Sequence, residues 1–283
     1  MLTAFTGCKD TEPVKVPSAP EIKLDGNLQS LDMQIISVDS QKLVLGKNGL
    51  ELILRSGSAG ALFGGIPVIM TMPASCQDNL WQLDKSMTDN FLRPLLMPVQ
   101  RRYRVILIDP GHGGYDAGAV SASGVKEKDL NLQLSLLLAE ALRAKGYTVY
   151  LTRSDDRYLS LDARPGMIAR YKADLFISVH HNSAANTAAS GHEVYFLRSE
   201  NDAETALAID SVQMAFQIEK SLFAHLPQTA VRGVKCARFK VLRLSSVPSI
   251  LIEAGFVSNP DEVQILSSRD YQQLFAEAVA SSF

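Results

Sequence analysis

Residues 105–152 read VILIDPGHGGYDAGAVSASGVKEKDLNLQLSLLLAEALRAKGYTVYLT, and the order of patterns within them decides the fold. Val105–Ile108 is a short apolar run of strand length that ends in Asp109-Pro110 and a glycine-rich loop. Over Lys128–Lys145 the apolar side chains Leu130, Leu134, Leu137, Leu138, Ala141 and Leu142 recur at helical spacing, with Gly146 where a helix C-cap is expected. Thr148–Thr152 then returns to a strand pattern. A strand, a long helix and a second strand make a βαβ unit, which joins parallel strands through a crossover.

The alternation continues outward from this unit. Further strand-like runs are Leu175–Val179, Glu193–Leu197 and Ser249–Glu253, and helical patterns cover Leu161–Tyr171 and Ala203–Leu222. Asn259-Pro260-Asp261-Glu262 begins another helix, with a capping asparagine, proline in the first turn and acids at the positive end of the helix dipole. Residues 104–283 are therefore expected to form an α/β domain, a mostly parallel twisted sheet flanked by helices in three αβα layers.

The preceding region has a different texture. Residues 26–100 contain short, partly alternating apolar runs, LDMQIISV, KLVLG, LELILRSG and PVIMTMP, separated by turn signals such as Gly46-Lys47-Asn48-Gly49. They predict a small β-rich module, and Ser56–Leu96 resembles the N-terminal domain of copper amine oxidases without implying copper chemistry. Residues 9–25, KDTEPVKVPSAPEIKLD, carry three prolines and no periodicity, and read as a linker. Before them, Leu2-Thr3-Ala4-Phe5-Thr6-Gly7-Cys8 resembles the end of a bacterial lipoprotein signal. A whole signal needs an apolar stretch of ~7–15 residues after a basic start. Residues 1–25 are either a clipped signal and tether, with Cys8 as a lipid anchor, or a chance match.

Composition narrows the function. A net charge of -2 with no block of like charge disfavours nucleic-acid binding through a broad basic face, and no apolar run reaches the ~20 residues that span a bilayer. Three scattered cysteines, Cys8, Cys76 and Cys236, supply neither a disulfide framework nor a four-cysteine zinc site. Ser160 and Ser178 lack the G-x-S-x-G context of a serine hydrolase.

The chemistry-bearing residues lie at strand ends. VILIDPGH ends on His112, LFISVHHN on His180, His181 and Asn182, and SILIEAGF carries Glu253. Active sites of open α/β sheets form beyond the carboxyl ends of the strands, so three separate runs deliver these groups to one region. The loop Gly111–Gly118 fits neither G-x-G-x-x-G nor the Walker pattern, and its glycines let the backbone fold closely around a metal ligand. Glu127 opens the long helix, either as a further ligand or as a solvated first-turn carboxylate.

In order, VILIDPGHGGYDAGA, GVKEKDLNLQLSLLLAEAL, GYTVYLTRSDD, LFISVHHNSA, GHEVYFL and SVPSILIEAGFVSNPDE resemble the N-acetylmuramoyl-L-alanine amidases of the AmiC type over about Arg104–Phe283. The resemblance implies a zinc hydrolase acting on peptidoglycan, its glycan strand and stem peptide, in the cell envelope. It implies that one Zn²⁺ ion is held by His112, Glu127 and His180, with Glu253 as the catalytic carboxylate. Such a His₂Glu set leaves the fourth tetrahedral position for water. His181 departs from the alanine of many members, and neighbours on a strand point to opposite faces, so His180 is the expected ligand. Asp109 either orients a ligand from behind or caps the turn; Asn182 either holds substrate or ends its strand; Arg232 either meets a peptide carboxylate or is solvated. Ser199–Val231 has room for one helix and a loop, without the helical plug of regulated members. The rivals are a zinc peptidase cutting another amide and an inactive wall-binding module.

Overall fold

The computed structural model describes residues 22–98 and 103–283. The expected signal and Cys8 lie outside them. Strand β1 (Lys23–Leu24) and helix α1 (Gly26–Gln29) precede a meander of β2 (Gln34–Val38), β3 (Lys42–Lys47), β4 (Leu50–Arg55), β5 (Gly60–Phe63) and β6 (Ile66–Ile69). Asn48-Gly49 closes the β3–β4 hairpin with the residue pair such two-residue turns prefer. β7 (Ser75–Gln77) and β8 (Leu80–Gln82) form a small separate sheet with β1, so the stretch expected to be linker already pairs at Lys23. Short helices α2 (Lys85–Met87) and α3 (Arg93–Leu96) flank one π-helical turn and end the module.

The remaining chain alternates as predicted: β9 (Val105–Pro110), α4 (Glu127–Ala144), β10 (Thr148–Leu151), α5 (Ala163–Tyr171), β11 (Leu175–Asn182), β12 (His192–Leu197), α6 (Asp202–His225), β13 (Val231–Ala237), α7 (Lys240–Arg243), β14 (Ser249–Phe256), α8 (Pro260–Leu266) and α9 (Arg269–Ala280). The strands lie in the order β10-β9-β11-β14-β12-β13-β6-β5-β4-β3-β2. β10, β9, β11 and β14 are mutually parallel, whereas β12 is antiparallel to β14 and β13 follows β12. The N-terminal module is a continuation of this sheet, because β6 pairs with β13 through Val234–Val68 and Lys235–Ile69.

Strand alternation assigns the two faces. Ile106, Ile108, Ile177, Ile250 and Ile252 join the main core, to which α4, α6 and α9 contribute Leu138, Ile218 and Phe275. Leu107, Phe176 and Leu251 point to the other face, against Ile168 of α5 and Val241 of α7. These small helices leave the strand ends of their face open. The single long helix between β12 and β13 packs on the main-core side, away from that opening.

Candidate metal centre

The site begins where β9 stops. Asp109 and Arg164 are fully buried and paired at 3.0 Å, and Thr152 and Ser178 donate their hydroxyls to the same carboxylate at 2.6 and 3.0 Å. Arg164 also donates to the carbonyls of Pro110 and His112, while buried Arg153 donates to those of Pro110 and Gly111. Two guanidinium groups thus pin three successive carbonyls, and His112 is held at φ 60°, a left-handed conformation uncommon outside glycine. Asp109 does not touch the His112 ring. It positions that residue through Arg164.

His112 Nδ1 lies 2.9 Å from Asp116 Oδ2, which leaves Nε2 to face Glu127 Oε1 at 3.2 Å. His180 Nδ1 is 2.9 Å from that same oxygen. All three ligand atoms lie within 4.8 Å of one another. Bonds of about 2.0–2.1 Å at tetrahedral angles separate neighbouring ligand atoms by roughly 3.3 Å, close to the two nitrogen–oxygen separations. The donor set and its spacing therefore fit a zinc-sized cation, with the Asp116 contact fixing the His112 tautomer. Two glycines make the packing possible. A Cβ at Gly111 would overlap the His180 imidazole, and one at Gly118, where φ is 65°, would overlap both His112 and Glu127.

Burial pushes the Glu127 carboxyl up, but the His112 and His180 rings outweigh it and hold the group well below the ordinary glutamate range. His112 is likewise pushed down by burial and carried above its usual value by Glu127 and Asp116. His181 behaves differently. Its ring is buried on the α4 side, 2.7 Å from Asn131 Oδ1, and burial first of all lowers its pKa to about 4. It is a neutral core histidine pointing away from the triad.

Glu253 stands beside His180 in register across the β11–β14 pair. It lines, together with His112, Glu127, His180 and Asn182, a cavity of about 310 Å³. Its Oε2 is buried with no hydrogen-bond partner among the described residues, and burial, followed by the negative charges of Glu127 and Glu193, raises its carboxyl well above the usual range. Asn182 sits at the end of β11 and donates to Glu193 at 3.3 Å, so it ends the strand and faces the cavity at once. Arg232 lies in β13 and donates Nε to Glu193. His192 pairs with Glu219 in the interior, and His225 is exposed at the end of α6.

The profile of the family described as N-acetylmuramoyl-L-alanine amidase matches residues 106–283, well over half of the chain. The chain belongs to this amidase family. The uncharacterized protein YqiI of Bacillus subtilis is 39% identical over 178 residues, which are 63% of this chain and 82% of YqiI. LytC, an N-acetylmuramoyl-L-alanine amidase of the same organism, is 37% identical over 174 residues, 62% of this chain but only 34% of LytC. The solved structure of the amidase AmiC2 of Nostoc punctiforme superposes with a TM-score of 0.56 at 36% identity, over 63% of this chain and 94% of that one. The matched region of this amidase contains the whole triad and Glu253.

Several functional neighbours escaped the sequence reading. Asp116 had a signal, an acid four residues after His112. Arg153, Arg164 and Glu193 had none, because nothing in their local pattern marks a charged side chain for burial.

Proposed function

We propose that this amidase is zinc-dependent and cleaves the amide between the lactyl group of N-acetylmuramic acid and the L-alanine of the stem peptide. The observation that carries the reading is the convergence of His112, Glu127 and His180 on one point, with the unpartnered buried carboxylate of Glu253 in the same cavity. Zinc in such a site would supply a Lewis acid that polarises the scissile carbonyl and acidifies water. The chain's own residues do the rest. Glu253 accepts a proton from the attacking water and delivers it to the leaving nitrogen, a role suited by a carboxyl whose proton affinity burial raises well above the ordinary glutamate range. Asp116 keeps the His112 tautomer, and Asp109 with Arg153 and Arg164 keeps the loop from relaxing.

The substrate, peptidoglycan, places the reaction outside the cytoplasm, and Cys8 with the following residues is proposed as a lipid tether. No helix among the described residues is long and apolar enough to cross a membrane. One acyl chain holds a protein only marginally, so stable anchoring would use more than one.

Removal of metal tests the reading. Chelation is expected to abolish hydrolysis of sacculi and Zn²⁺ to restore it, with about one zinc per chain by elemental analysis. His180→Ala should lose that zinc, and His181→Ala should keep it. Full activity in metal-free protein contradicts zinc dependence, and zinc lost only from His181→Ala moves the ligand role to His181.

A further inference from the structure

On the two strands next to β14, β12 and β13, the same sheet face carries a charged cluster that the hydrolytic step does not use. Glu193 is paired across the β12–β14 ladder with Glu253 and is 2% exposed. It accepts from Tyr195 Oη at 2.5 Å, from Lys235 Nζ at 2.7 Å and from Arg232 Nε. One carboxylate thus meets two cations, and Glu262, a further carboxylate that feels the charge of Arg232, spends its oxygens on the backbone N–H groups of Gly191 and Phe256, so one positive charge has no second carboxylate in contact. Glu253 does not take it up, since its buried Oε2 has no partner among the described residues.

Arg232 is the cation that faces outward. Its side chain is 39% exposed against 18% for Lys235. Its Nε is spent on Glu193, its guanidinium lies 5.0 Å over the Phe256 ring, and among the described residues its two terminal nitrogens bind no acceptor. A buried anion on one edge and an aromatic face beneath hold the fork in a fixed orientation, which is what bidentate recognition of a carboxylate requires. The guanidinium reaches back over Phe256 of β14, three residues along that strand from Glu253, so the fork lies on the order of 10 Å from Glu253, about three residues of extended peptide.

Resting on the amidase reading above, we infer that Arg232, positioned by Glu193 and backed by Lys235, binds a carboxylate of the stem peptide within about three residues of the cut amide. Glu193 is the positioning residue and Arg232 the specificity determinant. The peptide leaves the centre toward β13, and the sugar therefore lies toward β9 and β10.

The test uses the zinc-loaded full chain and two soluble muramyl-peptides, identical except that one has free peptide carboxylates and the other has them converted to primary amides. Wild-type protein should prefer the carboxylate form. Arg232→Gln should lower kcat/KM for that form by about 10- to 100-fold, chiefly through KM, and change the amide form by less than about 3-fold. Lys235→Gln should show the same selective loss on the carboxylate form, smaller in size, and it serves if Arg232→Gln fails to fold. Equal losses on both substrates, or a wild type without preference, overturn the inference while leaving the amidase reading intact. A wild type that cuts neither substrate overturns both.

Discussion

Glu253→Gln is expected to lower the rate of stem-peptide release from sacculi by at least ~10²–10⁴-fold, the contribution of a positioned acid–base group, while zinc content stays at the wild-type level. Glutamine keeps the shape and one oxygen but cannot accept the proton of water. The metal should stay because His112, Glu127 and His180 are untouched. Glu127→Gln should do the reverse, losing zinc first and activity in proportion. The pH dependence follows from the same carboxyl. Burial and the neighbouring carboxylates raise it, so the base form is lost as pH falls through a value displaced upward from the ordinary glutamate range. Wild-type activity should accordingly decline on the acidic side at a higher pH than an exposed glutamate would give. The folded state also binds this proton more tightly than the unfolded chain, so stability decreases as pH rises through the interval between the ordinary and the raised value. Metal-free Glu253→Gln should therefore melt above metal-free wild type at neutral pH, with the advantage gone below the ordinary glutamate value. A glutamine variant that loses its zinc makes Glu253 a ligand; one that keeps its rate leaves the base unassigned.

The second large effect concerns folding. Arg164→Ala removes the cation from a fully buried pair and strips donors from the carbonyls of Leu159, Pro110 and His112. Asp109 would remain buried with only the hydroxyls of Thr152 and Ser178. Uncompensated burial of a charge costs ~3–5 kcal/mol, which corresponds to a fall of roughly 10 °C in Tm for a domain of this size. Thermal and denaturant unfolding of wild type and Arg164→Ala measure it. Because the same arginine pins His112, zinc affinity should fall with stability. A loss below about 1 kcal/mol, the range of exposed ion pairs, contradicts the account.

Much of this architecture was legible because its signals are local. β9, β11 and β14 are buried on both faces and read as continuous apolar runs, and α4 shows its stripe of leucines. Their parallel order brings His112, His180 and Glu253 to one end, which is why residues at the ends of three separate runs could be expected in one region. Hidden features depend on partners distant in sequence. Arg232 and Lys235 meet Glu193 from 39 and 42 residues away, and the register shift in the β12–β13 pairing breaks the alternation that would have marked Arg232 as a strand residue. The pairing of β6 with β13 is likewise invisible, since an edge strand carries no mark of which other edge it will meet. Arg153 and Arg164 are buried by backbone carbonyls, acceptors that every residue has and no sequence pattern reveals.

Mass spectrometry of the products released from purified sacculi by zinc-loaded protein decides which amide this chain cuts. The expected products are free stem peptides that begin with L-alanine and glycan strands that keep the lactyl carboxylate on N-acetylmuramic acid. Peptides shortened at any internal bond, with muramyl-linked L-alanine intact, would contradict that expectation and make the chain a peptidase; undigested sacculi with the zinc in place would leave only a wall-binding protein.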